Sequence, residues 1–320
     1  MIKSKIIATG SYLPEKIVSN DDLSKIVDTN DEWILTRTGI KNRHIADDKE
    51  LTSDLAYKAA LDLLKSSNFD LTKIDCIILA TTTPDLTFPA TAVIVQEKLG
   101  IKNAFAFDVQ AVCSGFVYAL DVADSFIKSG KAKNILVIGA ETLSRIVDWK
   151  DRNSCVLFGD GAGAVILSAQ ENDCASDILA SNLYSDGALV DILKTSGGTS
   201  STKDSGFITM QGREVFKNAV EKMSNSLLST LKKANLTIED LDWLIPHQAN
   251  LRILTSLAQK VGISKEKVII TLQNQGNSSA ATIPLAMDYA NKNGKLVRGN
   301  NVAIEALGGG LTWGSIILRW

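Results

Sequence analysis

Short runs of aliphatic and β-branched residues alternate along this chain with longer stretches whose apolar residues return every three or four positions. CIILATT (Cys76 to Thr82), NILVIGAE (Asn134 to Glu141) and NVAIEALGG (Asn301 to Gly309) are nearly unbroken apolar runs, the pattern of strands buried on both faces. LTSDLAYKAALDLLKSS and EVFKNAVEKMSNSLLSTLKKAN carry the 3.6-residue period of amphipathic helices. The alternation predicts an α/β fold with mainly parallel sheets. No low-complexity linker or long charge run separates independent domains.

The pattern also repeats. LDLLKSSNFDLTKIDCIILATTTPD in the first half resembles LLSTLKKANLTIEDLDWLIPHQAN in the second. Each copy continues through a helix closed by Leu99-Gly100 or Val261-Gly262, then a strand, then a turn into another helix. FDVQAVCSGFVYAL then lines up with ITLQNQGNSSAATIPLA, so that Cys113 and Asn277 fall at equivalent strand-to-helix turns. His247, in IPHQAN, falls where the first copy has Thr82-Thr83. A duplicated fold brings equivalent strand ends together, and α/β proteins place their sites at the carboxyl ends of strands.

At 320 residues and 34.4 kDa the chain holds one large core or two intimately packed halves. A net charge of −2 gives no basic field for nucleic acid or an anionic membrane, and no stretch approaches the length of a bilayer span. The start, MIKSKIIATGSYLPE, has no signal-peptide pattern. Cys76, Cys113, Cys155 and Cys174 form no CxxC pair, so buried or reactive thiols in a reducing cytoplasm are expected in preference to disulfides.

Three residues carry candidate chemistry. Cys113 opens a helix, where unpaired amides and the positive end of the helix dipole favour a thiolate and can hold an oxyanion. A small residue filling a tight strand–helix corner explains a cysteine there equally well. His247, one of only two histidines, follows Pro246 and is a candidate proton carrier or oxygen-holding donor; a hydrogen-bonded structural histidine is the plainer alternative. Its neighbours Gln248, Ala249 and Asn250 supply no metal ligands. Asn277 never ionises and can donate to a developing enolate oxygen, although asparagine among glycine and serines is also ordinary turn material. Gly308-Gly309-Gly310 lets backbone approach a ligand closely, or forms a purely structural loop. FGDGAGAVIL lacks the spacing of a dinucleotide loop, and Asp160 would repel phosphate, so it reads as a structural turn between strands.

Six segments, TNDEWILTRTGIKNRHIA, FDVQAVCSGF, LFGDGAGA, PHQANLRI, QGNSSAATIPLA and GGGLTWGS, together resemble the β-ketoacyl-acyl-carrier-protein synthase III family in order and spacing. The likeness covers essentially the whole chain. It implies the thiolase fold, with duplicated βαβ halves at 1–170 and 171–320 stacked as a five-layer αβαβα sandwich, and a homodimer. It further implies a ping-pong condensation: Cys113 takes an acyl group from acyl-CoA, then malonyl-acyl-carrier protein loses carbon dioxide and attacks the acyl-enzyme. His247 and Asn277 would hold the thioester oxygen, and the N–H groups of Cys113 and Gly309 the oxyanion. No cofactor or metal is implied, acyl-CoA being a substrate.

Other positions follow the resemblance one at a time. Trp33 and Arg152 match the pair that sandwiches the CoA adenine. Thr29 and Arg37 match positions near the nucleotide, Asn250 one on the pantetheine arm, and Phe216 one at the entrance. Phe88 matches the residue that closes the partner's acyl pocket across the dimer. Lys217 and Arg252 match the basic patch that docks the carrier protein, although either alone is an ordinary solvated charge. Two departures stand out: DRNS replaces the more familiar DRGT, and Gln275 stands where a basic residue is common.

The elongating synthases need a second histidine beside the cysteine, and His44, in KNRHIA, does not occupy that position. A synthase III-like acyltransferase with another acyl donor in secondary metabolism is the nearer alternative. A non-catalytic acyl-CoA or carrier-protein binding module is the third, and it has no need of Cys113, His247 and Asn277 together.

Overall fold

A computed structural model describes residues 2–170 and 177–320. Thirteen strands are present among them. β1 (Lys3–Tyr12) precedes a hairpin of β2 (Lys16–Ser19) and β3 (Asn42–Ile45). β4 (Cys76–Ala80), β5 (Phe105–Val109), β6 (Asn134–Thr142) and β7 (Asp160–Gln170) complete the first sheet in the order β1-β7-β6-β4-β5. β8 (Asp177–Ser185) is followed by a second small hairpin, β9 (Leu193–Thr195) with β10 (Ile208–Met210). β11 (Trp243–Pro246), β12 (Asn301–Gly308) and β13 (Thr312–Arg319) join β8 in the order β11-β12-β13-β8.

The two sheets share one topology. β4 and β6 run parallel, as do β11 and β12; β6–β7 and β12–β13 are antiparallel, as are β7–β1 and β13–β8. A parallel bridge between Leu244 and Val268 stands where β5 pairs with β4. Even the side-chain locks recur. Asp75 accepts the Asn134 N–H at 3.0 Å, and Asp242 accepts the Asn301 N–H at 2.8 Å. The sheets are therefore mixed and not mainly parallel as the strand pattern predicted. Where a short turn replaces a crossover helix, as in residues 309–311, the next strand must run back.

Alternation on the buried strands builds the layers. Ile77 and Leu79 of β4 pack with helices Thr52–Ser67 and Thr91–Leu99, while Cys76, Ile78 and Ala80 face helix Gly115–Lys128. The central core joins that helix and Thr282–Lys292 to residues of both sheets, including Val137, Val302 and Ile304. Helices Gly212–Lys233 and Leu251–Val261 cover the outer face of the second sheet, with Ala303 and Ile317. This is the five-layer αβαβα arrangement of the thiolase fold. Helices Thr91–Leu99 and Leu251–Val261 end alike, on Gly100 and Gly262 in the left-handed region at φ 69° and 81°.

FGDGAGAVIL is not a turn, since residues 160–170 are β7 itself. Asp160 is a buried tie: its carboxylate accepts the Ala46 N–H at 2.8 Å and the Ser144 N–H at 2.9 Å, holding three loops together. Cys76, Cys113 and Cys155 are free and buried; Cys174 and the expected boundary after residue 170 fall at 171–176, outside the described residues.

Candidate active site

Cys113 sits where two cavities meet. The larger, about 740 Å³, is lined by Trp33, Arg37, Cys113, His247, Asn250 and Asn277 among others. The smaller, about 220 Å³ and largely apolar, is lined by Val112, Cys113, Leu143, Ile146, Phe158 and Gly309 among others. The sequence-predicted triad is thus brought together from three separate elements.

Two matching turns do this. Val112–Ser114 is a single 3₁₀ turn that runs into helix Gly115–Lys128, and Ser279–Ala281 is one that runs into Thr282–Lys292. Val112 and Ser279 both sit at φ 49°, a left-handed conformation that is costly for a β-branched residue. This register pairs Cys113 with Ala280, so Asn277 stands three residues before its counterpart of Cys113. The predicted equivalence holds for the turn and not for the residue. The Asp75 and Asp242 locks likewise match His247 with Ala80 instead of Thr82-Thr83. Sequence matching aligned polar turn residues, whereas the backbone is set by the left-handed position.

Burial pushes the Cys113 thiol up to about 12; the Ser279 hydroxyl pulls it back and the Glu141 charge pushes it further up. Burial thus acts against the lowering expected of a helix start. Within the turn, Ser114 N–H is spent on Ala111 O and Gly115 N–H on Val112 O. The N–H groups of Cys113 and Gly309 donate to no other residue among those described, which leaves them free for a ligand oxygen.

Burial holds His247 neutral, down at about 3. Its Nδ1 lies 2.7 Å from the Thr282 hydroxyl, which also lies 3.0 Å from Ser279 O and 3.3 Å from the Gln248 N–H. That hydroxyl has one proton and two acceptors in reach. Given to Nδ1, it fixes the ring proton on Nε2 and makes a donor toward the cavity. Asn277 Oδ1 accepts the Ser279 N–H at 2.9 Å, so the side-chain amide is oriented with its NH₂ left over. The Asn277 backbone is pinned on both sides, donating to Leu157 O at 2.9 Å and accepting from Gly159 N–H at 3.0 Å. Two neutral donors beside a cysteine can stabilise an enolate without a metal. His44 is engaged elsewhere, with Nδ1 2.6 Å from Pro14 O, and lines neither cavity.

The outer part of the larger cavity holds several of the remaining candidates. Trp33 is flanked by Arg37 at 4.3 Å and Arg152 at 5.1 Å from its ring centroid. A stacked base needs about 3.5 Å on each face, so Arg152, held by Asp28 O at 2.8 Å, must swing away for one to enter. Asn250 caps helix Leu251–Val261 and bridges to Arg37 O at 3.1 Å. Phe216 lines the wall under Arg252, 5.7 Å from its ring. Thr29 lies just before the Asn30 cap with a buried, unpaired hydroxyl. Lys217 is exposed and lines neither cavity, and Phe88 is 83% exposed. In DRNS, Asn153 lines the larger cavity; Gln275 lines neither.

Sequence reasoning missed Ser279, Thr282 and Arg213, and it gave the close approach at Gly308 to a ligand where the structure gives it to the nucleophile's own turn. A Cβ on Gly308 would lie 2.7 Å from the Cys113 nitrogen, so the nucleophile's turn rests directly on β12. The run of serines and threonine after Asn277 was the available signal for the first two. No cluster of three or more His, Cys, Asp or Glu residues able to hold a metal occurs among the described residues.

A buried cysteine facing one histidine and one asparagine, inside a duplicated five-layer sandwich, defines the cysteine condensing enzymes of the thiolase fold. Residues 107–187 match the family model "3-Oxoacyl-[acyl-carrier-protein (ACP)] synthase III" and residues 231–320 its C-terminal model. The chain is 58% identical to a β-ketoacyl-[acyl-carrier-protein] synthase III of Wolbachia pipientis wMel, covering 100% of both chains. The crystal structure of the Aquifex aeolicus VF5 3-oxoacyl-[acyl-carrier-protein] synthase III superposes with a TM-score of 0.94 at 52% identity, covering 99% of this chain and 100% of that one. The priming β-ketosynthase of the R1128 polyketide pathway superposes at 0.93 with 31% identity, covering 99% and 96%. The chain belongs to the 3-oxoacyl-[acyl-carrier-protein] synthase III family.

Proposed function

We propose that the protein condenses an acyl-CoA primer, acetyl-CoA first among candidates, with malonyl-acyl-carrier protein, giving 3-ketoacyl-acyl-carrier protein and starting fatty acid synthesis. The carrying observation is the placement of Cys113 at the junction of a long polar-mouthed cavity and a small apolar one. A thioester threaded through the first presents its carbonyl to sulfur and its acyl chain to the second. The Cys113 and Gly309 N–H groups take the oxyanion of acyl transfer. Decarboxylation then builds negative charge on the malonyl thioester oxygen, where His247 and Asn277 donate without changing protonation state.

Trp33, Arg37 and Arg152 form the adenine end, with Thr29 beside it; Asn250 and Phe216 border the pantetheine arm. Arg252 and Arg213, which line the larger cavity, and the exposed Lys217 on the same helix as Arg213 form the docking surface for an acidic carrier protein. No cofactor takes part. Residues 1–170 and 171–320 are read as the duplicated halves. A homodimer is supported by β5, an edge strand whose Phe105 packs on Phe107 and Phe126 while remaining 38% exposed. Phe88, exposed on the single chain, is then the residue that reaches the partner's acyl cavity. No helix among the described residues is long and apolar enough to cross a membrane, and a cytoplasmic site of action fits the free, buried thiols.

The smaller cavity decides the primer, and a polyketide-type primer is the reading to separate from acetyl. The test is condensation with malonyl-acyl-carrier protein across acyl-CoAs of increasing length and branching. Preference for acetyl-CoA supports the reading; consumption of malonyl-carrier protein with none of the primers overturns it.

A further inference from the structure

Gln248 follows His247 directly and has no exposed surface, yet it lines neither cavity. Its amide is fully used. Nε2 donates to Pro246 O at 2.7 Å and to Ile269 O at 3.1 Å, while Oε1 accepts the Thr271 N–H at 2.8 Å and the Leu272 N–H at 3.3 Å. The amide thus grips the last residue of β11, immediately before His247. It also grips the start of the short helix Leu272–Gln275, after which the chain passes Gly276 to Asn277. The Gln248 N–H lies 3.3 Å from Thr282 Oγ1, the hydroxyl beside His247 Nδ1.

The first half shows what this amide replaces. β4 pairs with β5 along the five residues Cys76 to Ala80, and the Thr81 N–H carries on to Val109 O at 3.2 Å. The aspartate locks that match His247 with Ala80 put Gln248 in the place of Thr81. On β11 the corresponding ladder shrinks to the bridge between Leu244 and Val268, with the Ile269 N–H on Leu244 O at 2.9 Å. Past that point Ile269 O and the N–H groups of Thr271 and Leu272 meet no backbone partner among the described residues. A primary amide carries the same carbonyl and N–H groups as a peptide unit. Gln248 therefore stands in for the missing strand, and the chain turns into the Asn277 loop while still tied to the end of β11.

We propose that Gln248 is a positioning residue for decarboxylation: its amide sets the separation of the His247 and Asn277 donors by tying the segment that ends in Asn277 to the strand that ends in His247. The proposal rests on the roles of His247 and Asn277 read above. An enolate oxygen held by two neutral donors needs both within reach at once, and a hydrogen bond weakens steeply as distance or angle is lost. Without the amide, Ile269 O and the Thr271 and Leu272 N–H groups are left unpartnered in the interior, and the segment shifts to find new partners. Cys113 is held separately, by its own turn resting on Gly308 of β12, so acyl transfer does not depend on this tie.

Two variants of unchanged length test this. Gln248→Met removes every polar atom, and Gln248→Glu keeps the acceptors but donates only when protonated. Acylation of Cys113 by radiolabelled acetyl-CoA and carbon dioxide release from malonyl-acyl-carrier protein are measured on both, and Gln248→Met is repeated in the Asn277→Ala background. Gln248→Met should slow decarboxylation about 10–10²-fold with acylation within about threefold of the wild type. In the Asn277→Ala background the same substitution should cost less than about threefold, since no second donor is left to align. Gln248→Glu should regain decarboxylation relative to acylation as pH falls and its buried carboxyl takes up a proton. Equal slowing of both half-reactions, or an equal penalty with and without Asn277, makes Gln248 a packing amide and overturns the proposal alone. Should Gln248→Met fail to fold, the pH profile of Gln248→Glu decides: a ratio of decarboxylation to acylation that does not change with pH overturns the proposal. Decarboxylation unimpaired in Asn277→Ala itself overturns it together with the function on which it rests.

Discussion

The turns at 112–114 and 279–281 have one backbone, including the left-handed first residue at φ 49°, and each rests on a strand of the opposite half. Gly308 of β12 lies under Cys113, and Gly139 of β6 lies under Ala280; a Cβ there would stand 2.7 Å from the Cys113 nitrogen and 2.3 Å from the Ala280 oxygen. Their chemistry differs. The first turn supplies a nucleophile and an amide, while the second supplies Ser279, whose N–H orients Asn277 and whose carbonyl meets the Thr282 hydroxyl beside His247. Duplication kept the frame that brings the two turns face to face. On the proposed function, the few side chains that differ divide the site into an acyl-transfer side and a decarboxylation side.

That split can be broken at several strengths. Cys113→Ser should remove acyl-enzyme from the intact-mass spectrum, a loss of at least about 10³-fold in turnover, with the melting temperature nearly unchanged. Labelling of the serine variant at the wild-type level would end the assignment.

Gly308→Ala and Gly139→Ala form a matched pair. Each forces a methyl against backbone and should cost about 1–3 kcal/mol by thermal or denaturant unfolding. Gly308→Ala should impair acyl transfer more, and Gly139→Ala decarboxylation more, since each displaces its own turn. Identical profiles would mean that the turns do not act separately. Thr282→Val is milder: it removes the partner of His247 Nδ1 and should lower decarboxylation about tenfold while sparing acylation, as expected for one hydrogen bond.

The smallest effect concerns stability. By strand register Glu305 in β12 occupies the place of Ile138 in β6, and it is fully buried with both carboxyl oxygens unpaired. Burial raises it well above the usual 4.5. Below that pH the group is neutral in both folded and unfolded chains. As pH rises the unfolded chain ionises first, so the wild type loses stability up to the folded pKa. Glu305→Gln lacks this loss and should gain in melting temperature relative to the wild type as pH rises above 4.5. A difference that does not change with pH would contradict it.

Much of this was legible in the residues. The apolar runs at 76–82, 134–141 and 301–309 became β4, β6 and β12 almost to the residue, because strands buried on both faces leave little room for polar positions. His247 was visible because it directly follows a strand, and Cys113 and Asn277 because each stands in a turn before a helix; the strand end expected before Asn277 is the short helix Leu272–Gln275. What escaped notice depends on backbone conformation and burial. The left-handed φ of Val112 and Ser279 has no marker when the residue is not glycine, so the half-to-half alignment slipped by three at Asn277. Cys113 reads as a helix-start residue, and only the fold shows the 3₁₀ turn that comes before the helix and the burial that pushes its thiol up. Glu141 stood in plain view at the end of NILVIGAE, but only the fold shows its carboxyl held by Thr81, Thr82 and Thr83.

The division of labour is tested most directly by measuring both half-reactions on Asn277→Ala. Acylation of Cys113 is followed with radiolabelled acetyl-CoA, and carbon dioxide release from malonyl-acyl-carrier protein is followed in parallel. The account predicts a near-normal acylation burst and decarboxylation slowed by about 10²–10³-fold. An equal fall in both rates would contradict it.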